Sequence, residues 1–151
     1  MLKSLSELKA IANEAEALLL PLANAGPDHI LMTLQPRDQD YAKVFIGGAA
    51  EQARAGYVSL WLAPPNGLAK PGQTEVRAVA LHAASLGGET EFPGGYRKIV
   101  QYLQPEQIWV RFKFVAPGQS MGMAYDGLVW LSDHWAWFPK PWRILTSPGS
   151  N

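Results

Sequence analysis

Residues 108–115, IWVRFKFV, alternate with a two-residue period. One set of alternate positions is strongly apolar and contains Ile108, Val110, Phe112 and Phe114; the other contains Trp109, Arg111, Lys113 and Val115. Because successive side chains of a β-strand point to opposite faces, this rhythm predicts a strand with one face in the core. The rest of the fold is predicted outward from this strand.

Two further strands are predicted after it, in GMAYDGLVWL at 122–131 and HWAWFPKPWRIL at 134–145, with a tight connection at 132–134. Short connections join neighbouring antiparallel strands, so residues 107–145 are predicted to form a three-strand meander. TEVRAVALHA at 74–83 and HILMTLQP at 29–36 also have the composition and length of strands.

The first part of the chain is predicted to be helical. Ser4 and Glu7 have the spacing of a capping box, and an apolar stripe follows until Pro21. A second helix is predicted over residues 39–62, with Asp38 as its N-cap. Gly47 and Gly48 favour a break within it, and a strand at 41–46 is the alternative. YRKIVQYL at 96–103 predicts a short helix.

Helices followed by antiparallel strands predict an α+β protein, with the two N-terminal helices packed on one face of a curved antiparallel sheet. The length of 151 residues suits one domain over 1–151, with a frayed tail at about 146–151. The short helix after FPGG and the three strands after it resemble the nuclear transport factor 2-like superfamily. That resemblance covers about the last 60 residues and implies a cavity between helices and sheet.

Composition excludes several classes of function. Thirteen basic residues balance thirteen acidic ones, so the chain lacks the positive field typical of nucleic-acid or membrane-surface binding. Cysteine is absent, which excludes disulfides and thiolate chemistry and fits a cytoplasmic location. Charged residues interrupt the apolar N-terminus, so neither a signal peptide nor a membrane span is expected there.

The segment DHWAWFPKPWR, residues 133–143, is either core or recognition surface. Large aromatic residues are usually buried, so most of its tryptophans are expected in the core. The remainder are predicted to form an aromatic and basic sheet face, made of Trp109, Arg111, Lys113, Trp135 and Trp137, because cations beside indoles provide strong anchors. The leading hypothesis is therefore a non-catalytic accessory or immunity-type protein that binds a protein partner.

Two other functions stay open. A small-ligand-binding protein or enzyme would use a cavity lined by His82, Tyr125 and Asp126, although Asp126-Gly127 is also typical of a turn or bulge. A structural homo-oligomer would bury the aromatic face against a second copy. The histidines lack metal-site spacing, and phosphate-loop and dinucleotide motifs are absent, so neither metal nor cofactor is expected. Asp133 and His134 need a third residue to act as an acid–base pair.

Overall fold

A four-stranded antiparallel sheet forms the centre of the computed structural model, which describes residues 2–26 and 28–145. The strands are β1 (Glu75–His82), β2 (Ile108–Val115), β3 (Gly122–Trp130) and β4 (Trp135–Trp137), in that spatial order. Each strand therefore pairs with its neighbour in the chain. The last three form the predicted meander, and the α+β class is confirmed.

Five α-helices accompany the sheet in the described residues: α1 (Leu5–Leu19), α2 (Asp40–Val44), α3 (Gly48–Gly56), α4 (Val58–Leu62) and α5 (Trp142–Leu145). Short 3₁₀ segments lie at Leu20–Leu22, Asp28–Leu34, Ala83–Gly87, Gly94–Lys98 and Val100–Tyr102. No helix in this part of the chain is both long and apolar enough to cross a membrane.

The predicted start of the first helix is confirmed. The Ser4 hydroxyl accepts the backbone N–H of Glu7, and the Glu7 carboxylate accepts the backbone N–H of Ser4. These two bonds satisfy donors that have no partner within the helix. The apolar stripe of α1 then packs on the sheet, where Ile11, Ala15 and Leu19 join the same cluster as Val110 of β2.

Helical segments cover both faces of the sheet, so packing of both N-terminal helices on one face was a wrong prediction. The α1 cluster contains Val110, Phe112 and Leu128, whereas α2 and α3 pack on the opposite face in a cluster with Trp109 and Phe138. The alternation in β2 is therefore real, but its second face is also core in the first half of the strand. Three layers result: α1, the sheet, and α2 with α3.

The predictions for the N-cap at Asp38 and for one helix over residues 39–62 were wrong, for reasons that lie within this segment. Residues 39–62 break after Val44 because Phe45 is extended and makes a β-bridge to Leu103; Gly47, with a φ of 53°, then precedes α3. Asp38 is not an N-cap, since α2 begins after Gln39 without a side-chain cap. The breaks still leave the predicted face intact, because Tyr41, Val44, Phe45, Ala49, Ala53 and Tyr57 share one cluster.

Three other segments differ from the predictions. Residues 29–34 belong to a 3₁₀ segment rather than a strand, and 96–103 form two 3₁₀ turns rather than one helix. The last predicted strand ends at Trp137, because Pro139 and Pro141 cannot donate to a ladder and α5 follows. The predicted frayed tail at about 146–151 lies outside the described residues.

A β-bulge interrupts the pairing of β2 with β3. Val110 pairs with Leu128 and Phe112 with Tyr125, so Asp126 and Gly127 together oppose Arg111. Gly127 has a φ of 88°, and a Cβ there would lie 2.2 Å from the carbonyl oxygen of Phe138. Only glycine meets both conditions without strain. The bulge alternative for Asp126-Gly127 is thereby confirmed.

Candidate functional site

The five residues of the predicted aromatic and basic face do not form one surface. Trp109, Arg111 and Lys113 point to the α2 and α3 face, while Trp137 belongs to the α1 cluster on the other face. Trp109 and Trp137 are 0% and 3% exposed. The prediction of a shared surface was therefore wrong. The register of β4 decides this, and sequence periodicity alone left that register open.

The individual members have separate surroundings. Arg111 is half-buried with Nη1 3.9 Å from a carboxylate oxygen of Glu91, and the Lys113 ammonium donates to the Ser120 carbonyl. Trp135 is half-buried and pairs with Trp130 across the hairpin. Trp137 donates its indole N–H to the Asp126 carbonyl at 2.8 Å. Trp137 is thus a packing residue that holds the bulge.

The three residues of the alternative cavity also separate. His82 is buried on the α1 face, where its Nε2 accepts the backbone N–H of Lys3 at 3.0 Å. Tyr125 points to the same face further along the sheet and donates its hydroxyl to the Leu68 carbonyl at 2.6 Å. Asp126 points to the opposite face. Tyr125 and Asp126 nevertheless border clefts.

Asp126 is a buried carboxyl group, 4% exposed, at the point where β4 leaves the sheet. Its Oδ1 accepts the Tyr96 hydroxyl at 2.7 Å and the backbone N–H of Lys140 at 2.9 Å. Burial raises the pKa of Asp126, although the Tyr96 and Lys140 hydrogen bonds and the nearby Lys140 and Arg143 charges oppose that shift. Raised carboxyl pKa values beside clefts are typical of functional sites.

The larger adjacent cleft, the Lys140 cleft, has a volume of about 540 Å³. Its wall is formed by α4, the loop before β1, the end of β4 and α5, and includes Leu60, Leu68, Tyr125, Trp137, Lys140 and Arg143. Pockets that bind small ligands typically have volumes of about 300–1,000 Å³. Its described lining has two cations and no carboxylate.

The backbone at Lys140 is unusual. Its φ is 48°, in the left-handed region that side-chain-bearing residues rarely adopt, and Pro139 and Pro141 flank it. The Asp126 carboxyl accepts the Lys140 N–H, and the Tyr57 hydroxyl donates to the Pro139 carbonyl at 2.9 Å. Buried side chains therefore hold this turn in place. Strained backbone of this kind is often retained where a side chain must be presented to a ligand.

The smaller cleft, the Arg111 cleft, lies on the other side of the bulge and has a volume of about 220 Å³. Glu91, Phe92, Pro93, Arg111, Tyr125 and Asp126 line it. Phe92 is buried and packs edge-to-face on Tyr96, with ring centroids 5.5 Å apart, which fixes the 91–93 loop beside the sheet. Asp126 thus contributes to this cleft while its hydrogen bond positions Lys140 at the other.

A second buried carboxyl group lies beside the turn between β3 and β4. Asp40, 0% exposed, accepts the backbone N–H of Arg37 at 2.8 Å and lies 2.8 Å from Nε2 of His134, while Nδ1 of His134 lies 2.6 Å from Asp133. The fold therefore supplies the third residue that Asp133 and His134 lacked. The His134 hydrogen bond lowers the pKa of Asp133.

Sequence reasoning missed Asp40 because nothing local distinguishes it from Asp38, two positions earlier, and the His134 contact spans 94 residues. The cluster is closed around its own members: both ring nitrogens of His134 face carboxylates, which requires a second proton on the ring or on a carboxyl group. It ties the β3–β4 turn to α2 and borders none of the clefts described above. We interpret it as structural.

Within the described ranges, no group of three or more histidine, cysteine, aspartate or glutamate residues is placed to hold a metal ion. Comparison with known proteins finds no matching family model, no similar curated protein and no similar solved structure. The resemblance to the nuclear transport factor 2-like superfamily therefore stays a prediction. Function has to be argued from the two clefts themselves.

Proposed function

We propose that this protein binds a small amphipathic organic anion in the Lys140 cleft. The carrying observation is a cleft of about 540 Å³ with apolar walls, two cations and no carboxylate in its described lining. An aliphatic or aromatic body would lie against Leu60, Leu68 and Trp137, and a carboxylate, sulfonate or phosphate would face Lys140 and Arg143. The proposal develops the small-ligand alternative rather than the partner-binding face, because two of that face's tryptophans, Trp109 and Trp137, are buried on opposite sides of the sheet.

The arrangement around the cations supports recognition of charge. Arg143 presents a planar set of donors that matches a carboxylate, while Lys140 adds a point charge. The Lys140 backbone is held by the Asp126 carboxyl and does not have to be ordered by the ligand. Such preorganisation lowers the entropic cost of binding.

Another cleft of similar size, about 490 Å³, is less suited to an amphipathic anion than the Lys140 cleft. Its lining includes Lys3, Lys43 and Glu106, so charges of both signs face the same space. Ile108 and Trp130 give it an apolar part, but Gln104, Gln107 and Ser132 also line it. A ligand with one negative charge and an apolar body fits the Lys140 cleft better.

Calorimetric titration with octanoate and with octanol tests this proposal. Octanoate is expected to bind more tightly than octanol, and Lys140→Ala and Arg143→Ala are each expected to weaken octanoate binding by about two- to fivefold, the effect of losing an exposed charge contact. Lys9→Ala on α1, an exposed lysine far from the cleft, is the control and should leave the affinity unchanged.

A second variant tests whether octanoate occupies the cleft itself or responds only to the charge of the protein. Ser59 lies exposed on α4 and lines the cleft, so Ser59→Trp should fill it without disturbing the core. Octanoate binding is expected to be lost in this variant while the unfolding transition is unchanged. Equal affinities for octanoate and octanol, or full octanoate affinity in Ser59→Trp, would contradict the proposal.

A further inference from the structure

The Arg111 cleft has the charge pattern of a second site. A buried carboxyl group, Asp126, lies in its wall. Arg111 of β2 and Glu91 of the 91–93 loop also line it. The bulge causes this arrangement, because Asp126 and Gly127 together oppose Arg111 and place the carboxyl on the same face as the guanidinium. The cleft therefore combines a negative and a positive group within about 220 Å³.

Asp126 has only neutral hydrogen-bond donors. The Tyr96 hydroxyl and the Lys140 N–H both donate to Oδ1, and within residues 2–26 and 28–145 no hydrogen bond or ion pair reaches Oδ2. Burying an ionised carboxylate without an opposite charge is costly. The Lys140 and Arg143 charges lie near Asp126, but neither side chain forms a hydrogen bond or ion pair with it in the described residues. An ammonium group from a ligand would add a direct charged contact at Oδ2.

Arg111 retains donors for a ligand. Its contact with Glu91 is long, at 3.9 Å through Nη1, and the Glu91 side chain is 67% exposed. A guanidinium held so loosely can turn both of its terminal N–H groups to a ligand carboxylate, the bidentate geometry that arginine favours. Glu91 is then free to assist in holding the ammonium group.

We propose that the Arg111 cleft binds a free amino acid, with the ammonium group against Asp126 and the carboxylate against Arg111. Both charges of the ligand have a counterpart, and Phe92 and Pro93 offer an apolar contact for its side chain. The small volume excludes long peptides from full enclosure. Tyr125 lines both clefts, but their charged groups differ: Arg111 and Asp126 line only the smaller cleft, and Lys140 and Arg143 only the larger one.

The test is calorimetric titration of the full chain with each proteinogenic amino acid. At least one is expected to bind, and its N-acetyl and carboxamide derivatives are each expected to bind at least about tenfold more weakly, since each lacks one charge. Absence of binding by every amino acid up to about 10 mM, well above typical ligand concentrations, would overturn the proposal. Equal affinity for the parent and the derivatives would overturn it as well.

Variants locate the binding. Asp126→Asn keeps the Oδ1 acceptor and removes only the charge, and Arg111→Gln removes the guanidinium; each is expected to weaken amino acid binding at least about tenfold. The matched control is Arg77→Gln on β1, which breaks the comparable surface ion pair with Glu75 and should leave binding unchanged. Octanoate binding should persist in Arg111→Gln, so failure here is distinguishable from failure of the first proposal. Retained amino acid affinity in both cleft variants would place the ligand elsewhere and overturn the inference.

Discussion

Two buried aspartates lie in different parts of the molecule, Asp126 in the middle of β3 and Asp40 beside the β3–β4 turn, and their partners differ. Asp40 faces the ring of His134, which bridges it to Asp133, and also accepts the N–H of Arg37. Asp126 accepts two neutral donors, Tyr96 and Lys140, and borders a cleft. Burial is similar for both carboxyl groups, so burial alone does not separate a structural aspartate from a candidate binding residue.

The two carboxyl groups differ in the groups that contact them. Around Asp40 the fold provides a titratable partner, His134, from a distant turn, and removal of Asp40 leaves His134 Nε2 and the Arg37 N–H without this acceptor. Each carboxyl group receives its contacts at one oxygen, and Oδ1 of Asp40 is buried without a hydrogen-bond partner among the described residues. Asp126 differs in that it borders a cleft and its hydrogen-bond donors are neutral. A buried acid that borders a cleft and has only neutral hydrogen-bond donors can receive a cationic group of a ligand, whereas Asp40 already faces His134. The following variants test this contrast, from the largest expected effect to the smallest.

Gly127→Ala should give the largest loss, because it disrupts the bulge that places Asp126. A Cβ at this position meets the Phe138 carbonyl at 2.2 Å with a φ of 88°, so the free energy of unfolding is expected to fall by about 4 kcal/mol. Gly118→Ala is the matched control, with a φ of 79° but open space around the Cβ; about 1 kcal/mol is expected there. Urea denaturation measures both, and equal losses would mean that the backbone contact is unimportant.

Asp40→Ala should destabilise the protein by about 3 kcal/mol, because it leaves His134 and the Arg37 N–H without their buried acceptor. Asp38→Ala, two residues away, removes an exposed carboxylate that contacts Arg54, so a loss below about 1 kcal/mol is expected. Chemical denaturation at neutral pH compares them. If Asp40→Ala unfolds no more easily than Asp38→Ala, the structural interpretation of the Asp40 cluster is wrong.

Trp137→Phe should cost about 2 kcal/mol, through the lost hydrogen bond to the Asp126 carbonyl and the lost indole volume. This variant addresses the sequence-based expectation that Trp137 is a surface anchor. Thermal unfolding is the measurement. An unchanged midpoint would show that the indole does not stabilise the bulge at Asp126.

Asp126→Asn should have the smallest effect and the opposite sign. Asparagine keeps the Oδ1 acceptor, and the charge it removes is one that burial disfavours, so a gain of at most about 1 kcal/mol is expected at neutral pH. Because the folded-state pKa of Asp126 lies above its ordinary value of 3.8, wild-type stability should fall as pH rises from that value through the folded pKa.

Urea titrations of wild type and Asp126→Asn from about pH 4 to about pH 7 measure this trend. The stability advantage of the variant should grow with pH up to the folded pKa of Asp126 and then stay constant, since the wild-type carboxyl group is fully ionised above that pKa. A variant less stable than wild type at neutral pH would show that the negative charge stabilises the fold. Asp126 would then resemble Asp40, and the proposed difference between the two aspartates would be wrong.

Periodic segments were predicted well because their signal is local. The capping box of α1, the strands β1 to β3 and the shared face of Tyr41 to Tyr57 all follow from spacing within a few residues. Segments 29–34 and 138–145 were missed because short apolar runs fit several conformations, and tertiary packing chose among them. The candidate site was found only in part: Tyr125 and Asp126 were named, but Lys140, Arg143 and Glu91 became relevant through contacts distant in sequence.

By itself the sequence determined the α+β class and the antiparallel order of its last three strands, because backbone preferences and side-chain alternation act over short distances. It left a turn, a bulge and a cavity lining open at Asp126-Gly127, and strand pairing decided for the bulge. Only the tertiary structure decided which tryptophans are core, which face of the sheet each residue joins and which carboxyl groups find a partner. Those outcomes depend on strand register and on contacts between residues as far apart as Asp40 and His134, for which a local pattern carries no signal.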